Sequence, residues 1–357
     1  MNEKVLAREF FRSKKKAAVL ILMLVLGLLA AACQSPAIQT PVPTSTPKPS
    51  PSPQASIPPS QYVKLLGKGM DVDWAKDKKG IEFYSPKAVE AFKQKGFTHV
   101  RIRVKNDLSE ALLEHLDRVI GDCLNAGLIP VLAYKAEAFK DDPSPENMEK
   151  VVNWWGTVAK RYKDYSPLLS FDLIIEVTGP LSRQPETLNE VYERAVTEIR
   201  KTNPTRIIFI SPRARSSPEY LSDLKIPTQA NGYLMAEWHC CASGPSKTNP
   251  NKLWTTGTEY EKNLIRHKIK IALDWQKKTG IYTWVGAWMP GNYNKGNSYT
   301  VPEQVKFATF MSCQLDAAHI PFAINSDTKF YDRVTNRWIP EMLPVIEAVL
   351  HPKCSGQ

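Results

Sequence analysis

From Leu65 onward, short apolar runs alternate with longer stretches whose hydrophobic positions recur at helical spacing. Eight runs have the length and the β-branched or aromatic content of buried strands. They are "KLLGKGMDV" (64–72), "THVRIRV" (98–104), "LIPVLAY" (128–134), "LLSFDLII" (168–175), "RIIFIS" (206–211), "GYLMAEWH" (232–239), "IYTWVGA" (281–287) and "IPFAIN" (320–325). Helical patterns with definable ends fill the intervals. Ser144-Pro145-Glu146 offers an N-cap serine followed by a first-turn proline, and Pro302 opens the last crossover. Gly96, Gly127 and Gly280 close three others in the manner of C-cap glycines.

Eight β-α units in one domain predict an α/β fold of the (β/α)8 TIM-barrel type. A doubly wound sheet is disfavoured because no glycine-rich phosphate loop follows the first strand. In a barrel, functional side chains gather at the C-terminal ends of the strands.

The N-terminal pattern is different. A basic segment (Lys4, Arg8, Arg12, Lys14 to Lys16) precedes an apolar run from Ala17 to Ala32, which is short for a membrane span of ~20 residues. The run ends in "LLAAAC", which resembles a lipoprotein cleavage site, so residues 1–32 read as a signal peptide and Cys33 as the lipidated residue. Residues 33–61 are dense in Pro, Ser and Thr and read as an extended spacer. Residues 62–357 form the barrel domain. This organisation implies an extracytoplasmic, membrane-anchored lipoprotein at a bacterial surface, monomeric by expectation.

The formal charge of +11 overstates the basicity of the folded part, since six basic and two acidic residues lie within the first 16 positions. No basic run remains beyond them, and nucleic acid is not an expected partner. The cysteines besides Cys33 (Cys123, Cys240, Cys241, Cys313, Cys354) lack metal-finger spacing. No metal and no cofactor is expected.

The predicted strand ends hold the candidate chemistry. Arg101 and Arg103 alternate in "VRIRV" and would face the barrel interior, where a guanidinium needs an anionic partner. Glu176 follows the fourth apolar run directly, and burial there would raise its pKa toward general-acid work. The sixth strand ends in "EWHCCASGP", with His239 and two adjacent cysteines.

In this order the segments resemble glycoside hydrolase family 5, the cellulase-type barrel glycosidases. "FTHVRIRV" is similar to that family's "F-x-x-V-R-I-P", "LLSFDLIIEVTG" to "F-E-L-x-N-E-P", "WHCCASGP" to "F-H-Y-Y-x-P", and "WVGAW" stands where the family has "x-G-E-F/W". The resemblance implies Arg101 as the family arginine, Glu176 as the acid/base, and His239 and Cys241 as positions beside the substrate. It implies a β-linked polysaccharide or oligosaccharide as ligand.

The departures fall on the chemistry. The nucleophile position is Ala287, the asparagine before the acid/base is Ile175, the family tyrosine is Cys241, and the third-strand histidines would fall near Lys135-Ala136. The sugar-platform tryptophan of the eighth strand becomes Phe322 or Asn325, depending on alignment. A retaining glycosidase needs two carboxyls about 5–5.5 Å apart, and an inverting one tolerates about 6.5–9.5 Å. Glu237, Asp71, Asp73, Glu137 and Asp327 are the candidate second carboxylates, each also open to a purely structural ion pair. Cys241 with His239 offers a less favoured thiolate route, against a Cys240–Cys241 bridge or simple packing. Trp74, Trp238, Trp254, Trp284, Trp288 and Tyr293 lie at or after strand ends, where rings can stack on sugars. Trp254 and Trp288 are the favoured platforms, while Trp238 and Trp284 are expected to pack toward the helices and Trp154-Trp155 to be structural. Three readings follow: a catalytically impaired glycan binder, an active glycosidase with a displaced second carboxylate, and a structural or protein-binding envelope protein.

Overall fold

The computed structural model describes residues 56–354 apart from 241–245, 248–252 and 292–298. Eight parallel strands, β1 (Lys68–Val72), β2 (His99–Val104), β3 (Ile129–Tyr134), β4 (Ser170–Asp172), β5 (Ile208–Ile210), β6 (Leu234–His239), β7 (Thr283–Trp288) and β8 (Phe322–Ile324), close into a barrel in sequential order. The chain is therefore a (β/α)8 barrel, as its apolar periodicity predicts.

The main helices are α1 (Pro59–Leu66), α2 (Pro86–Lys95), α3 (Glu110–Asn125), α4 (Pro145–Arg161), α5 (Pro185–Arg200), α6 (Glu259–Thr279), α7 (Val301–Ala317) and α8 (Leu343–Leu350). Ser144 Oγ accepts from Asn147 N–H at the start of α4, and Gly96 and Gly280 end α2 and α6 in the left-handed region. Gly127 lies one residue past the C-cap of α3, also with positive φ. The β5–β6 crossover departs from the expected strand–helix alternation. It holds only a four-residue helix at Arg213–Ser216 and a 3-10 segment at Pro218–Asp223. Pro212, Pro218 and Pro227 are too closely spaced for a longer helix to form between them.

The spacer reading of residues 33–61 runs too far at its C-terminal end. Pro59 is the first residue of α1, where a missing N–H costs nothing, so a proline-rich sequence here begins a helix. Tyr62, Val63 and Leu66 of α1 close the barrel floor against Ile129, Val131, Phe209, Met235 and Trp284. The Tyr62 hydroxyl lies 2.8 Å from both Ser170 Oγ and the Leu168 carbonyl. A second, larger core lies between the strands and the surrounding helices. Cys313 of α7 is bonded to Cys354, which ties the C-terminal segment to the barrel wall.

Candidate glycan-binding site at the barrel mouth

Alternation along the strands places Asp71, Arg101, Asp172, Glu237 and His239 in the barrel interior. All five are buried. Arg101 binds the two oxygens of Asp71 through Nε and Nη2, with the second contact at 2.8 Å. Its Nη1 donates to Glu237 Oε1 at 2.7 Å and Asp172 Oδ2 at 3.3 Å, and lies 3.3 Å from His239 Nε2. Glu237 also contacts His239 and accepts from Ser211 Oγ at 2.7 Å. Burial alone would raise the Glu237 pKa, but His239, Arg101 and Ser211 hold it below the usual carboxylate range. Burial and the neighbouring Glu237 push Asp172 upward.

One layer higher, Arg103 binds Asp73 and lies 3.5 Å from Asp71, with Nη1 donating to Asn325 at 3.3 Å. Asp73 also takes Lys76 at 3.0 Å, and Arg103 and Lys76 bring its pKa down against the effect of burial. Asp327 is fully buried and accepts from the Asp73 N–H. Desolvation pushes it up to about 6, although Arg333 and Arg103 oppose the shift.

Glu176 stands at the end of the fourth β-strand region with a positive φ of 53°, and 26% of its side chain is exposed. Lys135 Nζ, from the end of β3, lies 3.4 Å from Glu176 Oε2 and 3.6 Å from Glu137 Oε1. Lys105 completes this chain at 3.1 Å from Glu137. The buried Lys140 ammonium donates to the Ile175 carbonyl at 3.2 Å and the Glu176 carbonyl at 3.5 Å. The expectation of a raised Glu176 pKa is corrected here. Burial pushes it up, but His239, Lys135, Arg101 and Arg103 outweigh that effect and bring it down to about 2. The sequence signal was the apolar run before Glu176; the missed signal was the lysine spacing in "YKAEAFK", which sets Lys135 and Lys140 around it.

Strand β7 carries a register shift opposite β6. Trp238 pairs with Val285 and His239 with Ala287, leaving Gly286 as the extra residue. A Cβ on Gly286 would collide with Glu237 Oε1 and the Arg101 guanidinium, so this position faces the interior. Ala287 sits beside His239 in register and is buried, so "WVGAW" brings a methyl group to the rim of the polar network.

The tryptophans are placed differently from expectation. Trp254 packs on Phe307 and Phe310, and Trp288 on Phe307 and Phe322; both are buried, which corrects their reading as sugar platforms. Trp74 packs on Tyr84 and Phe92. Trp238 lies in the outer core as expected, but Trp284 turns into the barrel floor, 5.6 Å from Arg101 and against Phe209. Hydrophobicity alone cannot tell these two buried faces apart. Cys241, Tyr293 and Cys33 lie outside the described residues. Among the described residues, no group of three or more His, Cys, Asp or Glu is placed to hold a metal ion.

This geometry defines a cellulase-type barrel. The model of the cellulase family, glycosyl hydrolase family 5, matches residues 60–327, and the chain belongs to that family. Among its relatives, endoglucanase H of Acetivibrio thermocellus is 25% identical over 317 residues, covering 81% of this chain and 33% of that protein. Endoglucanase A of Clostridium longisporum is 22% identical over 244 residues, covering 61% of this chain and 47% of its own. The chain thus spans about a third to a half of these relatives. Thermotoga maritima Cel5A in complex with cellobiose superposes with a TM-score of 0.71 at 21% identity, covering 82% of this chain and 99% of that one.

Proposed function

We propose that this barrel binds a β-linked glycan at its mouth and hydrolyses it poorly or not at all. The ion pair between Lys135 and Glu176 carries this reading. A general acid must hold a proton at working pH, whereas a carboxyl with a pKa of about 2 is ionised throughout the neutral range. The partner carboxylate of a double-displacement mechanism is also missing, because Ala287 offers neither lone pair nor charge. What the mouth retains is a set of fixed donors and acceptors, among them Glu176, Glu137, Lys135, Lys105 and Asn325, suited to hydrogen-bonding sugar hydroxyls. The similarity to endoglucanases, including a Cel5A seen with cellobiose, favours a β-1,4-linked glucan or a related polymer.

The alternative reading, hydrolysis with a displaced second carboxylate, has its most exposed candidate in Glu137. Glu137 and Glu176, however, share the Lys135 ammonium, which favours the ionised form of both and so leaves neither poised as a proton donor. Asp71, Glu237 and Asp327 are fully buried, and Asp73 is held by two cations.

Anchoring on Cys33 outside the cytoplasmic membrane is part of the proposal. The Cys313–Cys354 disulfide supports it, since such bridges persist in oxidising compartments. Affinity electrophoresis through gels containing soluble β-glucans, mannans or xylans tests the reading. The protein should be retarded by at least one polymer, and Glu176→Ala should weaken that retardation at least tenfold. Unchanged mobility on every polymer would remove the glycan-binding function.

A further inference from the structure

Glu237 is fully buried beneath the mouth, out of a sugar's reach, yet it links Arg101 to His239 in the deepest ion network. Among the described residues it is the one carboxylate in contact with both Arg101 and His239, and Ser211 supplies a further donor. The carboxylate tip reaches into the volume that a side chain at 286 would fill, directly under the bulge that turns Ala287 toward His239. The sequence at the bulge makes that arrangement possible: glycine clears the space at 286, and alanine adds no charge at 287.

We propose that Glu237 is a relocated carboxylate, supplying from β6 the acceptor that joins Arg101 Nη1 to His239 Nε2 and that position 287 does not offer. It is a positioning residue: it holds the arginine and histidine in place while keeping the anion out of a sugar's reach. The proposal rests on the reading of Ala287 as a vacated nucleophile position. A carboxylate at either 237 or 287 gives Arg101 Nη1 and His239 Nε2 a buried acceptor; carboxylates at both repel each other, and carboxylates at neither leave these two buried nitrogens without that shared partner, Asp71 still holding the rest of the guanidinium.

A double-mutant cycle tests this. Glu237→Ser alone should lower the melting temperature by about 10 °C, the scale of breaking a buried ion network in a domain of this size. Ala287→Glu alone should lower it as well. Combined, the two changes should restore stability well beyond the sum of the single effects, because a carboxylate returns to the same arginine and histidine nitrogens from the neighbouring strand. A merely structural glutamate would not be rescued from position 287. If Glu237→Ser fails to fold, recovery of soluble folded protein on adding Ala287→Glu supports the proposal, and failure to recover it overturns it. The milder pair Glu237→Gln with Ala287→Glu serves as a second cycle, in which additive melting shifts also overturn the proposal. Retardation by glycan, measured on the unsubstituted protein, is independent of the cycle, so loss of the binding reading and loss of the relocation are separately visible.

Discussion

At the scale of single residues, the charge state of the mouth turns on Glu176 and the basic groups around it. Against the pull of burial, His239, Lys135, Arg101 and Arg103 hold its carboxyl down at about 2, below the ordinary value of about 4.3 for an unfolded chain. Because the folded value is depressed, the carboxylate contributes stability that is present above the unfolded pKa and is lost as pH falls through the folded one. Lys135→Met removes a close positive charge, so the folded pKa should move upward by about one unit or more and the acid-sensitive window should shift with it. Carbon-13 NMR of the side-chain carboxyls, compared between the protein and this variant from pH 2 to 7, reads the shift directly. A Glu176 titration that stays in place in Lys135→Met would show that the lysine does not set the charge state of the site. The sequence made Glu176 legible because it directly follows an apolar run. It did not reveal the protonation, which depends on His239, Lys135, Arg101 and Arg103, brought together from three other strands.

At the scale of elements, strand parity decides what the mouth can do. Strands β2 and β6 present Arg101, Arg103, Glu237 and His239 inward by simple alternation, and these were readable from period-two patterning. The bulge in β7 was not, since an extra residue in one strand leaves no mark on hydrophobicity; its glycine gains a reason only when Glu237 is seen beneath it. The same limit explains Trp254 and Trp288, whose positions after strand ends are compatible with either solvent or the Phe307 side of the core. The end of α7 illustrates how a distant element is secured. Its Cys313 is joined to Cys354 across 41 positions, a bridge that restricts a long loop in the unfolded chain. Replacing both cysteines by serine should cost about 2–5 kcal/mol and lower the melting temperature by roughly 5–15 °C. Calorimetry of the double variant checks this, and an unchanged melting curve would show that the bridge contributes nothing to the fold's stability.

At the scale of the molecule, the fold is that of an endoglucanase-type barrel, while the charges inside it are arranged for permanence. Asp71, Asp73 and Glu237 are each committed to arginine, lysine or histidine partners. Glu176 is ionised, and no tryptophan among the described residues is exposed at the mouth to serve as a platform. The eight-strand architecture was legible in full because burial on both faces writes continuous apolar runs into the strands. The short β5–β6 crossover and the helical start at Pro59 were not, because proline there had two structural meanings. The family's architecture is therefore retained around a mouth in which Glu176 is ion-paired with Lys135 and alanine stands at 287 beside His239. The most direct test is to incubate the purified protein for a day with the β-glucan that retards it and to follow new reducing ends beside a Glu176→Gln control. Binding with no release above the control is the expected result. Steady release that disappears in Glu176→Gln would contradict it and make the barrel a working hydrolase.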